Sequence, residues 1–102
     1  MTFTLVATWD WFKHEDCRNA YAIHATECRD TAKAIERGQD KLGQFDTIQD
    51  AICDAGDEAN GRFSDALKEF GFWHMVKVCP CAGGAKAKKE AKAILGNTPA
   101  ER

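Results

Sequence analysis

The sequence predicts a single small α+β domain, in which an antiparallel sheet of about three strands packs against helices in the order ββααβα. Three observations predict this class. Residues 3–12 alternate between two sets of side chains, as a half-buried strand does. Residues 46–70 repeat apolar side chains with helical periodicity. Residues 70–81 are aromatic and β-branched, with glycine and proline at their ends, which is typical of a strand.

The size and composition of the chain agree with one globular domain. The 102 residues are 44% hydrophobic and 29% charged, and we expect residues 1–96 to form the domain and residues 97–102 a loose tail. No apolar run approaches the roughly 18 to 20 residues that span a bilayer, so we expect no membrane segment. The N-terminus shows no signal-peptide pattern, and five cysteines are an odd number. These features favour the cytoplasm, with mostly free thiols.

The first two strands are predicted to form a hairpin. In residues 3–12, Phe3, Leu5, Ala7, Trp9 and Trp11 share one face. A polar, turn-forming segment follows, and residues 20–26 again alternate. An alternative interpretation makes residues 12–37 one helix, since alanine, glutamate, lysine and arginine are frequent there.

Two helices are predicted next. The first covers residues 30–42, with Asp30 as its cap and Gly43 at its end. The second is a single helix over residues 46–70, in which Asn60-Gly61 could introduce a kink near residue 60. It begins at Asp46, which has a glutamine three positions later as in a capping box, and it ends at Gly71.

Residues 70–81 are then predicted to be a central strand, because apolar residues fall on both of its faces. A last helix follows over residues 85–95 and ends at Gly96. The helix of residues 46–70 should cross one face of the sheet. We expect contacts of its apolar side with three strands, joining Ile48, Ile52, Phe63 and Leu67 to Leu5, Trp9, Ile23 and Val76.

Charge is distributed unevenly along the chain. Residues 46–69 carry seven acidic residues against two basic ones, a net charge of −5, although the whole chain carries only −2. Residues 86–102 carry five basic residues against two acidic ones, a net charge of +3. The two segments therefore suggest two different binding surfaces.

The acidic helix face predicts a non-enzymatic protein that binds a partner protein with a basic surface. Its candidate residues are Asp46, Asp50, Asp54, Asp57 and Glu58. The first three repeat every four residues, about 6 Å apart along a helix, so they could occupy a groove that normally holds nucleic-acid phosphates. In size and charge the chain resembles small acidic proteins of phages and mobile elements, anti-CRISPR inhibitors among them, which implies an inhibitor of a nucleic-acid-handling protein. The alternative is an ordinary solvated helix face.

The lysine-rich last helix predicts a rival function, direct nucleic-acid binding through Lys86, Lys88, Lys89 and Lys92. Gly83 and Gly84 precede it, and free N–H groups at a helix start attract phosphate. Residues 88–92 resemble the last helix of double-stranded-RNA-binding domains, whose lysines grip phosphates. That family begins with a helix and three successive strands, an order that this sequence does not predict.

Cysteine and histidine side chains could in principle form a zinc site or a redox pair, since His14 and Cys17, His24 and Cys28, and Cys79 and Cys81 are close in sequence. No pair has the spacing of a zinc knuckle. The two thiols of an extended Cys79-Pro80-Cys81 would point to opposite faces, and His24 should be exposed or at the rim. The sequence also lacks known catalytic motifs. We therefore predict no catalytic residue, no metal and no cofactor.

Overall fold

Four strands form one sheet. The computed structural model describes residues 2–8 and 18–96, and within them the strands are β1 Phe3–Ala7, β2 Tyr21–Ala25, β3 Asp40–Phe45 and β4 Val76–Val78. Their order across the sheet is β3-β1-β2-β4. β1 runs antiparallel to both of its neighbours, whereas β4 pairs with β2 in parallel.

Five helices connect and cover the strands in the described part of the chain. They are α1 Arg29–Glu36, α2 Ile48–Arg62, α3 Ser64–Phe70, α4 Phe72–Met75 and α5 Gly84–Leu95, with a 3-10 turn at Pro80–Ala82. The α+β class is confirmed, but the chain has four strands where we expected about three, and the order of elements differs from ββααβα. None of the helices in the described ranges has the length and apolarity needed to cross a bilayer.

The main core lies on one face of the sheet, the first face. Leu5, Ile23 and Val76 point to this face and are fully buried. α2 covers it with Ile52 and with small residues that allow a close approach, namely Ala51, Ala55 and Ala59. Ile48, Phe63 and Leu67 pack against the same cluster, as the helical periodicity predicts. Trp9, also expected there, lies outside the described residues.

The predicted pairing of the first two strands is confirmed. Phe3 lies opposite Ala25 and Ala7 opposite Tyr21, in antiparallel register. The alternative interpretation as one helix over residues 12–37 is therefore wrong, because β2 occupies residues 21–25. The predicted end of the first strand, at residue 12, lies within residues 9–17, which are outside the described part of the chain.

The predicted helix over residues 30–42 is too long. α1 ends at Glu36, and the backbone turns at Gly38, whose φ is +97°. The chain then forms β3, which pairs with the outer edge of β1 and places Gly43 opposite Leu5. β3 is an edge strand whose residues are exposed or half-buried, and its sequence lacks clean apolar alternation. The local preference for a strand is therefore weak, and pairing with β1 decides the conformation of this segment.

The predicted single helix over residues 46–70 is divided at Phe63, between α2 and α3. The φ and ψ of Phe63, −126° and 42°, are not helical. Its ring packs edge-on against Tyr21 of β2, with the centroids 6.1 Å apart. The break in the helix therefore coincides with a contact to the sheet. Thr47, rather than Asp46, caps α2, since its Oγ1 accepts the backbone N–H of Asp50 at 3.1 Å.

The predicted central strand over residues 70–81 is mostly wrong. Phe72–Met75 forms the short helix α4, and only Val76–Val78 extends, at the edge of the sheet. Its aromatic content reflects burial, because Trp73 lies in the core and its Nε1 donates to the Gly96 carbonyl at 2.9 Å. The predicted last helix is confirmed, with Gly96 at its end. The proposed tail, residues 97–102, lies outside the described residues.

Candidate functional site

Carboxylates line the outer side of α2. Asp50 and Asp57 are exposed, whereas Asp54 and Glu58 are half-buried. Asp46 is exposed as well, but it precedes the cap Thr47 and is not part of the helix. The expected row of three acids at four-residue spacing along one helix is therefore interrupted at its first member. We call the five residues Asp46, Asp50, Asp54, Asp57 and Glu58 the acidic surface.

The position of the acidic surface follows from the packing of α2. Four residues of the opposite side, Ala51, Ile52, Ala55 and Ala59, are completely buried against the sheet, which fixes the rotation of the helix about its axis. The charged side is consequently turned away from the core. Asp50 also lies in the first turn, where its charge stabilises the positive end of the helix dipole.

The acids of this surface repel one another. Partial burial raises the pKa of Asp54, and the negative charges of Asp57 and Glu58 raise it further. The charges of Asp57 and Glu58 therefore interact unfavourably with the charge of Asp54 on the same helix. A cation brought to this surface would relieve them.

The lysines of α5 do not form one uniform set. Lys86, Lys89 and Lys92 are exposed, but Lys88 is half-buried and its Nζ donates to the Val76 carbonyl at 2.8 Å. Burial and the nearby charge of Lys92 lower the pKa of Lys88. Lys88 therefore ties α5 to the end of β4, which is a structural role.

The start of α5 also differs from a free phosphate site. Gly83 and Gly84 have positive φ angles of 108° and 64°, and their backbone N–H groups donate to the carbonyls of Pro80 and Cys79, at 3.1 Å in both cases. These two donors, which the sequence suggested as phosphate ligands, instead close the turn after β4.

Two thiols meet one imidazole on the other side of the sheet, the second face. Cys79 Sγ lies 3.6 Å from His24 Nε2, and Cys81 Sγ lies 3.8 Å from His24 Nδ1. His24 was expected to be exposed or at the rim, but it is buried, with only 8% of it accessible. The 3-10 turn carries Cys81 back over β2, where the Ala25 N–H donates to its sulfur at 3.3 Å. The two thiols therefore share one side, contrary to expectation.

This thiol–imidazole cluster is uncharged near neutral pH. Burial lowers the pKa of His24, and burial raises the pKa of Cys79 to about 11. The pKa of Cys81 is raised by burial and by the adjacent Cys28 thiol. A nucleophilic cysteine needs a lowered pKa, so the cluster lacks the electrostatics of a catalytic thiol.

The same arrangement does not match a metal centre. Within residues 2–8 and 18–96, no group of three histidine, cysteine or acidic side chains is placed to hold an ion. The physical reason is that the two sulfurs approach opposite nitrogens of the same ring, whereas a tetrahedral ion would bind one ring nitrogen. His14 and Cys17, the other candidate pair, lie outside the described residues.

A polar cavity of about 250 Å³ lies beside this cluster, between α1 and the second face. Three cationic side chains line it: Lys33 from the last turn of α1, Arg37 from the cap that follows this helix, and Lys77 from β4. The sequence analysis did not identify this group. The only local signal was the four-residue spacing of Lys33 and Arg37, which places two side chains on one side of a helix.

Comparisons with known proteins give no match: no protein-family model fits the chain, and no curated protein or solved structure is significantly similar to it.

Proposed function

We propose that the acidic surface binds a basic surface of a partner protein that handles nucleic acid, and that this binding blocks the partner's access to its substrate. One observation carries the proposal. Asp54 is half-buried on the outer side of α2, and its pKa is raised by this burial and, to a smaller degree, by the charges of Asp57 and Glu58. A cationic partner would relieve this repulsion, and the relief would stabilise the complex.

The chemistry of the partner follows from the charges. Carboxylates form charge-assisted hydrogen bonds with lysine and especially arginine, which presents two parallel N–H groups to a carboxylate. Grooves that bind nucleic acid carry such residues in rows. Asp50 and Asp54 lie one helical turn apart, about 6 Å by the helical rise, so they could meet successive cations of such a groove.

The geometry supports the acidic surface better than the lysines of α5. Lys88 donates a hydrogen bond to the Val76 carbonyl, and the N–H groups of Gly83 and Gly84 donate to carbonyls of their own turn. The rival set therefore reduces to Lys86, Lys89 and Lys92. These residues are exposed on one short helix, as solvated lysines of an amphipathic helix are.

The proposal is tested by changing charge without changing size. We expect the double variant Asp54→Asn, Asp57→Asn to bind the partner at least about tenfold more weakly, equivalent to about 1.4 kcal/mol. The matched control is Asp65→Asn with Glu69→Gln on α3, which removes two charges outside the acidic surface and should leave affinity within about twofold.

The assay begins with a pull-down from a host lysate on the immobilised protein, followed by a titration with the purified partner. DNA or RNA that the partner binds should compete with the immobilised protein. Capture that is equally strong with both double variants, or that nucleic acid does not compete, would show the proposal to be wrong. A gel shift at physiological salt that disappears in Lys86→Glu with Lys89→Glu would instead establish direct nucleic-acid binding.

A further inference from the structure

The cavity on the second face is a chemically distinct part of the molecule. It lies on the opposite side of the sheet from α2, with the floor formed by β2 and one wall formed by α1. The lining takes residues from these two elements, from β4 and from the segments that follow β1 and β4. Most of these side chains are polar, although Ala22 and Cys79 belong to the small apolar cluster of this face.

The cavity is positively charged in a protein whose overall charge is negative. Lys33, Arg37 and Lys77 contribute three positive charges, and Asp30 contributes one negative charge. With His24 neutral, the lining has a net charge of +2, whereas the whole chain has −2. Since cations that face a common concave space reinforce one another's field, this cavity attracts anions.

The three cations come from two elements that the fold brings together. Lys33 lies in the last turn of α1, and Arg37 is the residue that caps the end of this helix, four positions later. Lys77 stands between two residues of β4 that face the main core, Val76 and Val78, so alternation turns it to the second face. The cations consequently approach the cavity from two of its walls.

Uncharged donors complement the charges. The side-chain amides of Asn19 and Gln39 line the cavity as well and are both half-buried, and each amide carries two donor hydrogens. In the floor, Thr8 and His24 are more than nine-tenths buried. Burial lowers the pKa of His24, the charge of Asp30 acts in the opposite direction, and the charge of Lys77 lowers the pKa further.

We propose that this cavity binds a small ligand through a phosphate group, with Arg37 bound bidentately and Lys33 and Lys77 as flanking positive charges. A guanidinium matches two phosphate oxygens, and a phosphate dianion needs more than one cation to neutralise it. The cavity is smaller than the roughly 300–1,000 Å³ of pockets for drug-sized ligands. It fits inorganic phosphate or a small phosphomonoester better than a nucleic-acid strand.

An NMR titration tests the proposal with two probes, inorganic phosphate and glycerol 3-phosphate, at constant ionic strength. We expect saturable shifts of the backbone amides of residues 33–39 and 77–79 with at least one probe. The His24 imidazole should titrate at higher pH in the bound state, because a nearby anion stabilises its cationic form. Equimolar glycerol with sodium chloride serves as the blank, and comparison of the two probes shows whether the ester is recognised.

Matched variants at the two ends of α1 show whether Arg37 binds the phosphate. Arg37→Gln should weaken phosphate binding at least about tenfold, since it removes the bidentate partner. Arg29→Gln makes the same change at the start of α1, outside the cavity, and should leave affinity unchanged. A thermal melt of both variants checks that α1 remains folded. Shifts that do not saturate, that sodium chloride reproduces, or that survive in Arg37→Gln would overturn the proposal.

Discussion

Replacing Lys88 by methionine separates structural from functional lysines on α5. The variant keeps most of the length of the side chain but removes the ammonium that donates to the Val76 carbonyl at 2.8 Å. A hydrogen bond from a charged donor contributes roughly 1.5–3 kcal/mol. Because Lys88 is only half-buried, water replaces part of this interaction, and we expect a loss at the lower end, about 1–2 kcal/mol.

The matched control is Lys89→Met, the same substitution at the next, exposed position. It should change the free energy of unfolding by no more than about 0.5 kcal/mol. Urea unfolding followed by circular dichroism gives both values. Each kcal/mol lost should lower the melting temperature by about 4–8 °C for a domain of this size. Equal stability of the two variants would refute the structural role of Lys88. Lys88 would then again be a candidate for phosphate binding, together with Lys86, Lys89 and Lys92.

Two further substitutions test the backbone and the thiol cluster. Gly71→Ala should cost about 1–3 kcal/mol in a urea unfolding curve, because φ +85° and ψ 156° form a region that is nearly restricted to glycine. No atom lies within 4 Å of the added Cβ, so backbone strain alone causes this loss. Gly61→Ala is the control: its Cβ also meets no atom within 4 Å, and because Gly61 lies in a helix, alanine should increase the free energy of unfolding. At pH 8, alkylation of Cys79 should be roughly 100-fold slower in folded than in urea-unfolded protein, since burial raises its pKa from 9.0 to about 11. Peptide mapping by mass spectrometry measures this ratio, and similar rates would contradict the burial of the thiol.

The two proposals assign different chemistry to opposite faces of one sheet. The acidic surface on α2 faces away from the first face and would meet cations of a protein. The cavity beside α1 collects cations on the second face and would meet an anion. Because the charge changes that test them lie on different helices, either proposal can fail without affecting the other.

Local sequence patterns determined the class of this protein and several of its elements. Alternation predicted that β1 and β2 are strands, and the short polar segment between them predicted their antiparallel pairing. Long helical periodicity predicted which side of residues 46–70 would be buried: Ile52 belongs to the core cluster, and Leu67 packs against it. Gly71 and Gly96 marked helix ends correctly because both adopt positive φ angles that other residues avoid.

The tertiary structure alone decided the remaining elements, the thiol–imidazole cluster and the cavity on the second face. β3 exists because β1 offers it an edge, and β4 lies at the sheet edge because it pairs with β2 alone; neither pairing has a local signal. The 3-10 turn brings Cys81 to His24, 57 residues away in sequence, and the folding of α1 against the second face brings Lys33 and Arg37 to Lys77. Periodicity reports which side of an element is buried, but only long-range packing determines which other element covers it and which charges then meet.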